Sequence, residues 1–204
     1  MIEPSYAIIE QKVVMKKPTA RERLLDVTFT HVYRYGYAGS STAKILKEAG
    51  VPKGSMYHHF ASKKEMVLAM IEERLIPKVD AFFDFRMQKN ATATDIITHT
   101  MQKMSKNRML LQHGCPLHRL MFEMGSLDEE IAAICRKEFD KLTDNLAKVI
   151  AYGIKQGEFI DAHPTQLAAF IITATWGLLS RLPQDSSSEQ FLQESALLLR
   201  AIST

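Results

Sequence analysis

Apolar positions recur at helical spacing along most of the chain. Leu25, Phe29 and Val32 fall at i, i+4 and i+7, with Leu24 and Thr28 beside them, so one face of a helix is apolar. Ahead of them, Thr19 and Glu22 form an S/T-x-x-E capping box, which satisfies the free N–H groups of a helix start, and Gly36 supplies the end. Ser41 or Thr42 opens a second helix with Ile45, Leu46 and Ala49 inward, and Gly50 stops it. A short helix follows over 52–60; Pro52 is acceptable in a first turn, and Met56 and Phe60 make an i, i+4 apolar pair. Ser62 and Glu65 repeat the capping box and start a helix through Met66, Met70 and Ile71 to about residue 85, kinked or broken at Pro77.

Farther on, the spacing predicts helices over 92–106, 116–124, 128–155, 164–182 and 188–201. The longest carries the clearest stripe, Ile131, Ile134, Cys135, Phe139, Leu142, Leu146, Val149 and Ile150. Ser126 and Glu129 give it a third capping box, and three acids over 128–130 suit the positive end of the helix dipole. The segment LAAFIITATWGLL is apolar around most of its circumference and needs a cover. No alternation or hairpin signal points to strands. The predicted fold class is therefore all-α with about nine helices. Residues 1–14 form an N-terminal arm or an extension ahead of Met15, 15–62 a three-helix helix-turn-helix unit, and 63–204 a second helical domain.

Composition narrows the function. With 46% hydrophobic and 24% charged residues the chain can bury a core. Two cysteines, Cys115 and Cys135, are too few for a disulfide framework, and no apolar run of about 18 residues offers a membrane span. Early acids and a brief apolar run over 6–9 do not suit an export signal, so a cytoplasmic location is expected. The net charge of +3 is unevenly placed: residues 12–64 hold eleven Lys and Arg against Glu22, Asp26 and Glu48, and the remainder is mildly acidic. Such a basic segment predicts a partner carrying phosphates.

The 52–60 helix has the matching chemistry. With Val51, Met56 and Phe60 turned inward, its other face presents Lys53, Ser55, Tyr57, His58 and His59, which are donors for phosphate and base edges. That face suits a major groove. Lys44 and Lys47 are either phosphate contacts or solvated charges. His58 and His59 point about 100° apart on a helix and lack a third ligand, so they do not make a metal site.

Residues 19–71 resemble the DNA-binding domain of the TetR (tetracycline-repressor) family of transcriptional regulators. The resemblance is carried by Phe29 with Gly36-Tyr37, by Thr42 with Ala49-Gly50-Val51, by Gly54-Ser55-Met56-Tyr57-His58-His59-Phe60, and by Lys63 with Glu65. It implies base contacts near Lys53, Gly54 and Ser55, phosphate or base-edge contacts from Tyr57 and His59 with His58 beside them, and a backbone grip from Thr42 and Lys63. It further implies a homodimer on a pseudo-palindromic operator in double-stranded DNA, released by a small-molecule effector, with no cofactor and no enzymatic role. The expected dimer surface draws on Phe170, Ile171, Ala174, Trp176, Leu178, Leu179, Phe191 and Leu198. The expected effector cavity draws on Met101, Met104, Leu117, Met121, Phe122, Phe139 and Trp176. Coupling between the two is expected through the helix that begins at Lys63.

One motif stands apart. In HGCPLHRLMFEMG, Cys115 precedes Pro116 at a helix start, where the dipole lowers a thiol pKa, and His113, His118 and Arg119 are close in sequence. Cys115 is then a sensor of oxidants or electrophiles, a small structural residue, or a metal ligand with the two histidines. Cys135, on an apolar face, is expected to be inert. A Cys-dependent enzyme would need an orienting third group that is not evident. A nonspecific architectural DNA-binder would not need the acidic second part.

Overall fold

The computed structural model describes residues 17–86, 90–181 and 188–204. The expected arm over 1–14 and the end of the 164–182 helix lie outside them. The described chain is all-α. Its helices are α1 Ala20–Gly39, α2 Thr42–Ala49, α3 Lys53–His59, α4 Lys63–Met70, α5 Ile76–Phe82, α6 Ala93–Ser105, α7 Arg108–His113, α8 Pro116–Met124, α9 Glu129–Lys155, α10 Pro164–Arg181 and α11 Ser188–Ile202. Among the described residues, the one β-type pairing is an isolated bridge between Phe159 and Ser203.

Local chemistry sets the boundaries. Glu22 N–H donates to Thr19 Oγ1 at 3.2 Å and Thr19 N–H to Glu22 Oε2 at 2.7 Å, a complete capping box. Gly36 is a kink rather than the expected end: at φ 75° and ψ 179° it bends α1, which continues to Gly39. At α4, Ser62 Oγ accepts the Glu65 N–H, but Glu65 takes the Ala61 N–H at 2.7 Å instead of closing the box. Ser126 does not cap α9. Asp128, directly before the helix and charged, accepts the Glu130 and Ile131 N–H groups at 3.2 Å each and displaces it.

The expected break at Pro77 is a π-helical turn, Ile71–Leu75, between α4 and α5. Pro77 has no N–H for the Glu73 carbonyl, and Arg74 Nη1 donates to that oxygen at 3.1 Å. Val67, Ile71, Leu75 and Val79 are all buried along this rod. The short α7 was not predicted; Asn107 caps it by accepting the Leu110 N–H at 3.0 Å.

α9 is the spine of the second half, packed between α8 and α10, with Ile131, Cys135, Leu146 and Ile150 buried. The turn after it is locked in two ways. Glu158 caps α6, accepting from Ala93 N–H at 3.0 Å, Thr94 N–H at 2.9 Å and Thr94 Oγ1 at 2.8 Å. Gly153 lets Phe159 lie against the backbone, since a Cβ there would stand 2.3 Å from the ring.

Two predictions follow from this corner. Gly153→Ala overpacks it and should lower unfolding free energy by about 1–3 kcal/mol in denaturant titration. Burial pushes the Glu158 carboxyl up, but the amides of Thr94 and Ala93 and the Thr94 hydroxyl together outweigh it, so the group sits below its ordinary value. A depressed carboxyl contributes stability above its unfolded pKa and loses it as pH falls through the folded one. Glu158→Gln should therefore destabilise at neutral pH, and the two stability curves should converge in acid.

Candidate nucleic-acid interface

The turn between α2 and α3 is built by Gly50, left-handed at φ 62° and ψ 38°. Its N–H reaches Lys47 O at 3.3 Å and the Val51 N–H reaches Leu46 O at 3.1 Å, which closes α2. Val51, Met56 and Phe60 are buried with Ile45 and Leu46 and pin α3 by one face. The opposite face is bare: Lys53, Gly54, Tyr57, His58 and His59 are exposed and Ser55 is half-buried. Tyr57 is 54% exposed, so it is not a packing residue. Nothing lies within 4 Å of a Cβ built on Gly54. Thr42 is half-buried at the first position of α2.

The cations of this half divide into two sets. Arg21 makes two bonds to Glu73 at 2.5 and 2.7 Å, Arg74 binds Asp26 at 2.6 Å, and Lys64 binds Asp128 and Glu130 at 2.8 Å each. Arg23 is held by the Ala49 and Pro18 carbonyls. Lys44, Lys47 and Lys53 form no ion pair among the described residues. Lys63 departs from the outstretched cation expected of it. Its Nζ donates to Tyr37 O at 2.6 Å and lies 4.3 Å from the Tyr37 ring centroid, bracing α4 against the end of α1. Burial pushes its pKa down, partly offset by Glu123.

Two side chains of α8 hold the same end of α1; Glu123 did not stand out in the sequence, and Arg119 did so only as a neighbour of Cys115. Glu123 Oε2 accepts the Tyr37 N–H at 2.8 Å and Oε1 the Ala38 N–H at 2.7 Å. A Cβ on Gly36 would lie 2.5 Å from that carboxylate. Arg119 Nη1 donates to Tyr33 O at 2.7 Å and His113 O at 3.2 Å.

In the second half, Met101, Met104 and Trp176 line a cavity of about 30 Å³ with Phe85, Thr100 and Thr175. The Thr175 hydroxyl is buried there without a protein partner. The other expected lining residues sit elsewhere. Leu117 is fully buried outside the cavity lining, Met121 and Phe139 pack on the core, and Phe122 is 84% exposed. Leu117, Leu120 and Met124 occupy the inward face of α8, which leaves Phe122 on the outside. The expected dimer surface also divides: Ile171, Trp176, Leu179 and Phe191 are buried in the subunit's own core, whereas Phe170 is half exposed and Ala174, Leu178 and Leu198 are partly so.

Cys115 does not have the lowered pKa expected at a helix start. Burial pushes the thiol up, and the His118 and Leu117 amides that favour thiolate do not compensate. Cys135 is pushed up to about 12, first by burial. No three His, Cys, Asp or Glu side chains among the described residues are placed to hold a metal, and no described helix is long and apolar enough to cross a membrane.

Known proteins share both halves. Residues 24–70 match the family model for bacterial regulatory proteins of the tetR family, and residues 95–193 match the tetracyclin repressor-like C-terminal domain. The chain belongs to the TetR family. Among its relatives, an uncharacterized HTH-type transcriptional regulator in the lacX 3' region of Lactococcus lactis subsp. lactis is 28% identical over 64% of this chain and 66% of its own length. The HTH-type transcriptional repressor DhaR of Mycobacterium sp. strain GP1 is 23% identical over 92% of this chain and 94% of its own. A TetR-family regulator from Agrobacterium tumefaciens has the same fold, with a TM-score of 0.80 at 20% identity, covering 91% of this chain and 98% of that one. This TetR-family protein is accordingly a DNA-binding transcriptional regulator, and α2 and α3 are its helix-turn-helix.

Burial makes a checkable statement about the thiols. In the native protein both cysteines should react with a disulfide reagent at neutral pH at least about tenfold more slowly than in denaturant, as expected of buried protonated thiols. Fast labelling of Cys115 in the folded state would restore it as a sensor.

Proposed function

We propose that this regulator is a homodimeric repressor that grips a pseudo-palindromic operator through α3 and is released by a small organic effector. The observation that carries the reading is the exposed donor face of α3, flanked on the same helix-turn-helix by Lys44 and Lys47, which like Lys53 form no ion pair among the described residues. Lys53, Gly54 and Ser55 approach base edges, Tyr57, His58 and His59 reach edges or phosphates, and Thr42 grips the backbone. Lys63 takes part through the Tyr37 end of α1 that it braces. The relative named as a repressor supports repression over activation. The protein works in the cytoplasm and without catalysis.

The dimer forms across the exposed side of α10 and α11, with Phe170, Ala174, Leu178, Leu197 and Leu198 meeting their counterparts about a two-fold axis. That pairing spaces the two α3 helices for successive major grooves, about 34 Å apart. The effector enters between α6, α9 and α10, with the Thr175 hydroxyl as its polar contact. A cavity of about 30 Å³ is too small for such a molecule, so entry spreads these helices. Phe83 and Phe85 border the cavity just beyond α5, and α5 joins α4 through the π turn, so the displacement reaches Lys63 and α1. Occupancy then shifts the population toward a spacing that no longer fits the operator. The reading head extends to Ser62, and the effector and dimerisation domain begins at Lys63.

The test is a binding titration on the DNA upstream of the protein's own gene, with excess unrelated duplex present. Tyr57→Ala should weaken binding about 10- to 100-fold, with helix content and dimerisation unchanged. Lys53→Ala should reduce the slope of affinity against salt by about one counterion. Equal affinity of the intact protein for upstream DNA and random duplex would make it an architectural binder instead.

A further inference from the structure

A separate cavity, about 370 Å³, lies between α7, the start of α8 and the end of α10. It shares only Trp176 with the cavity at Thr175. Its polar wall is Gln112, His113, His118, Arg119 and Ser180, and among the described residues no acidic one lines it. Arg119 is half-buried, and both of its hydrogen bonds run from Nη1 to neutral carbonyls. It forms no ion pair among the described residues. Glu123, one turn along α8, gives its two oxygens to the Tyr37 and Ala38 amides instead.

The recess is electropositive. Burial first, then the guanidiniums of Arg119 and Arg34, hold His113 below its ordinary pKa. A charged fork with neutral partners, away from bulk water, favours an anion that accepts from it in bidentate fashion. A second feature sets the kind of anion: Trp176, stacked on His118 with centroids 4.5 Å apart, and Leu179 give the recess an apolar side. The volume also exceeds what an inorganic ion needs, and lies in the range of small-ligand sites.

We propose that this recess binds a small organic carboxylate, with its anionic end against Arg119 and Gln112 and its apolar part toward Trp176 and Leu179. Binding there does not require α3 to read an operator, and its test uses no DNA.

Trp176 is the one tryptophan of the chain, so its fluorescence reports on the recess. Titration of the full chain with benzoate should change Trp176 emission saturably. Benzamide, a neutral molecule of nearly the same shape, should bind at least about tenfold more weakly. Gln112→Glu sets a carboxylate in the wall with almost no change of shape, and should weaken benzoate binding about tenfold or more while melting temperature stays unchanged. Arg119→Lys keeps the charge, loses the fork and should also weaken binding. The proposal is overturned by no saturable change, by equal affinity for benzoate and benzamide, or by undiminished benzoate binding in Gln112→Glu, which would place the ligand in the neighbouring cavity.

Discussion

The carboxylate of Glu123, set on two backbone amides just past Gly36, joins the DNA-reading half of this protein to the rest. Helix α1 cannot continue straight through a residue at φ 75°, so the kink leaves the Tyr37 and Ala38 N–H groups without helical partners. An anion from α8 satisfies both, and only glycine leaves room for it. Around that contact the remaining groups fall into place. Lys63 closes on the Tyr37 carbonyl from α4, and Arg119 on the Tyr33 carbonyl from α8. The orientation of the helix-turn-helix thus depends on charged side chains bonded to backbone as well as on the apolar core that runs from α1 and α4 into the second half. Such contacts have two well-separated states, made or broken, which suits a regulator.

The same economy governs the charges. A chain that binds polyanions needs cations at its surface, yet cations also self-repel and weaken a small domain. Here Arg21, Arg74 and Lys64 are paired with Glu73, Asp26, Asp128 and Glu130, drawn from α1, the π turn and α9, and these pairs tie the elements together. Lys44, Lys47 and Lys53 keep their charge on the helix-turn-helix. The unpaired lysines lie on the helix-turn-helix itself, whereas Arg21, Arg74 and Lys64 are held by acids of neighbouring elements.

Much of this was legible in the sequence because it is local. Helical spacing, Thr19 with Glu22, and Gly50 act within a few residues, so the all-α fold, the turn and the buried and bare faces of α3 could be read directly. The missed pieces act over distance or compete. Ser126 fits the capping pattern as well as Ser62 does, but Asp128 stands closer to the helix start. Thr92 and Asp95 make a capping box with aspartate in place of glutamate. Glu123 and Arg119 bond to backbone atoms 85 or 86 residues away, which no side-chain pattern encodes. Phe122 and Phe139 look alike in composition, yet one faces water and the other approaches Trp176 at 4.3 Å, because helix register decides. Apolar residues on α10 and α11 do not declare whether they serve one subunit or two.

The π turn before Pro77 has a consequence for which side chains stay buried. Apolar residues placed every four positions drift about 40° per step around an ordinary α-helix, so Val67, Ile71, Leu75 and Val79 would spiral off the side they share. A wider turn in the middle offsets part of that drift and keeps all four side chains in the core, from the base of the reading head to the aromatic residues beside the small cavity. Without that wider turn, the side chains nearest the cavity would swing away from the core that holds those nearest the DNA-reading end.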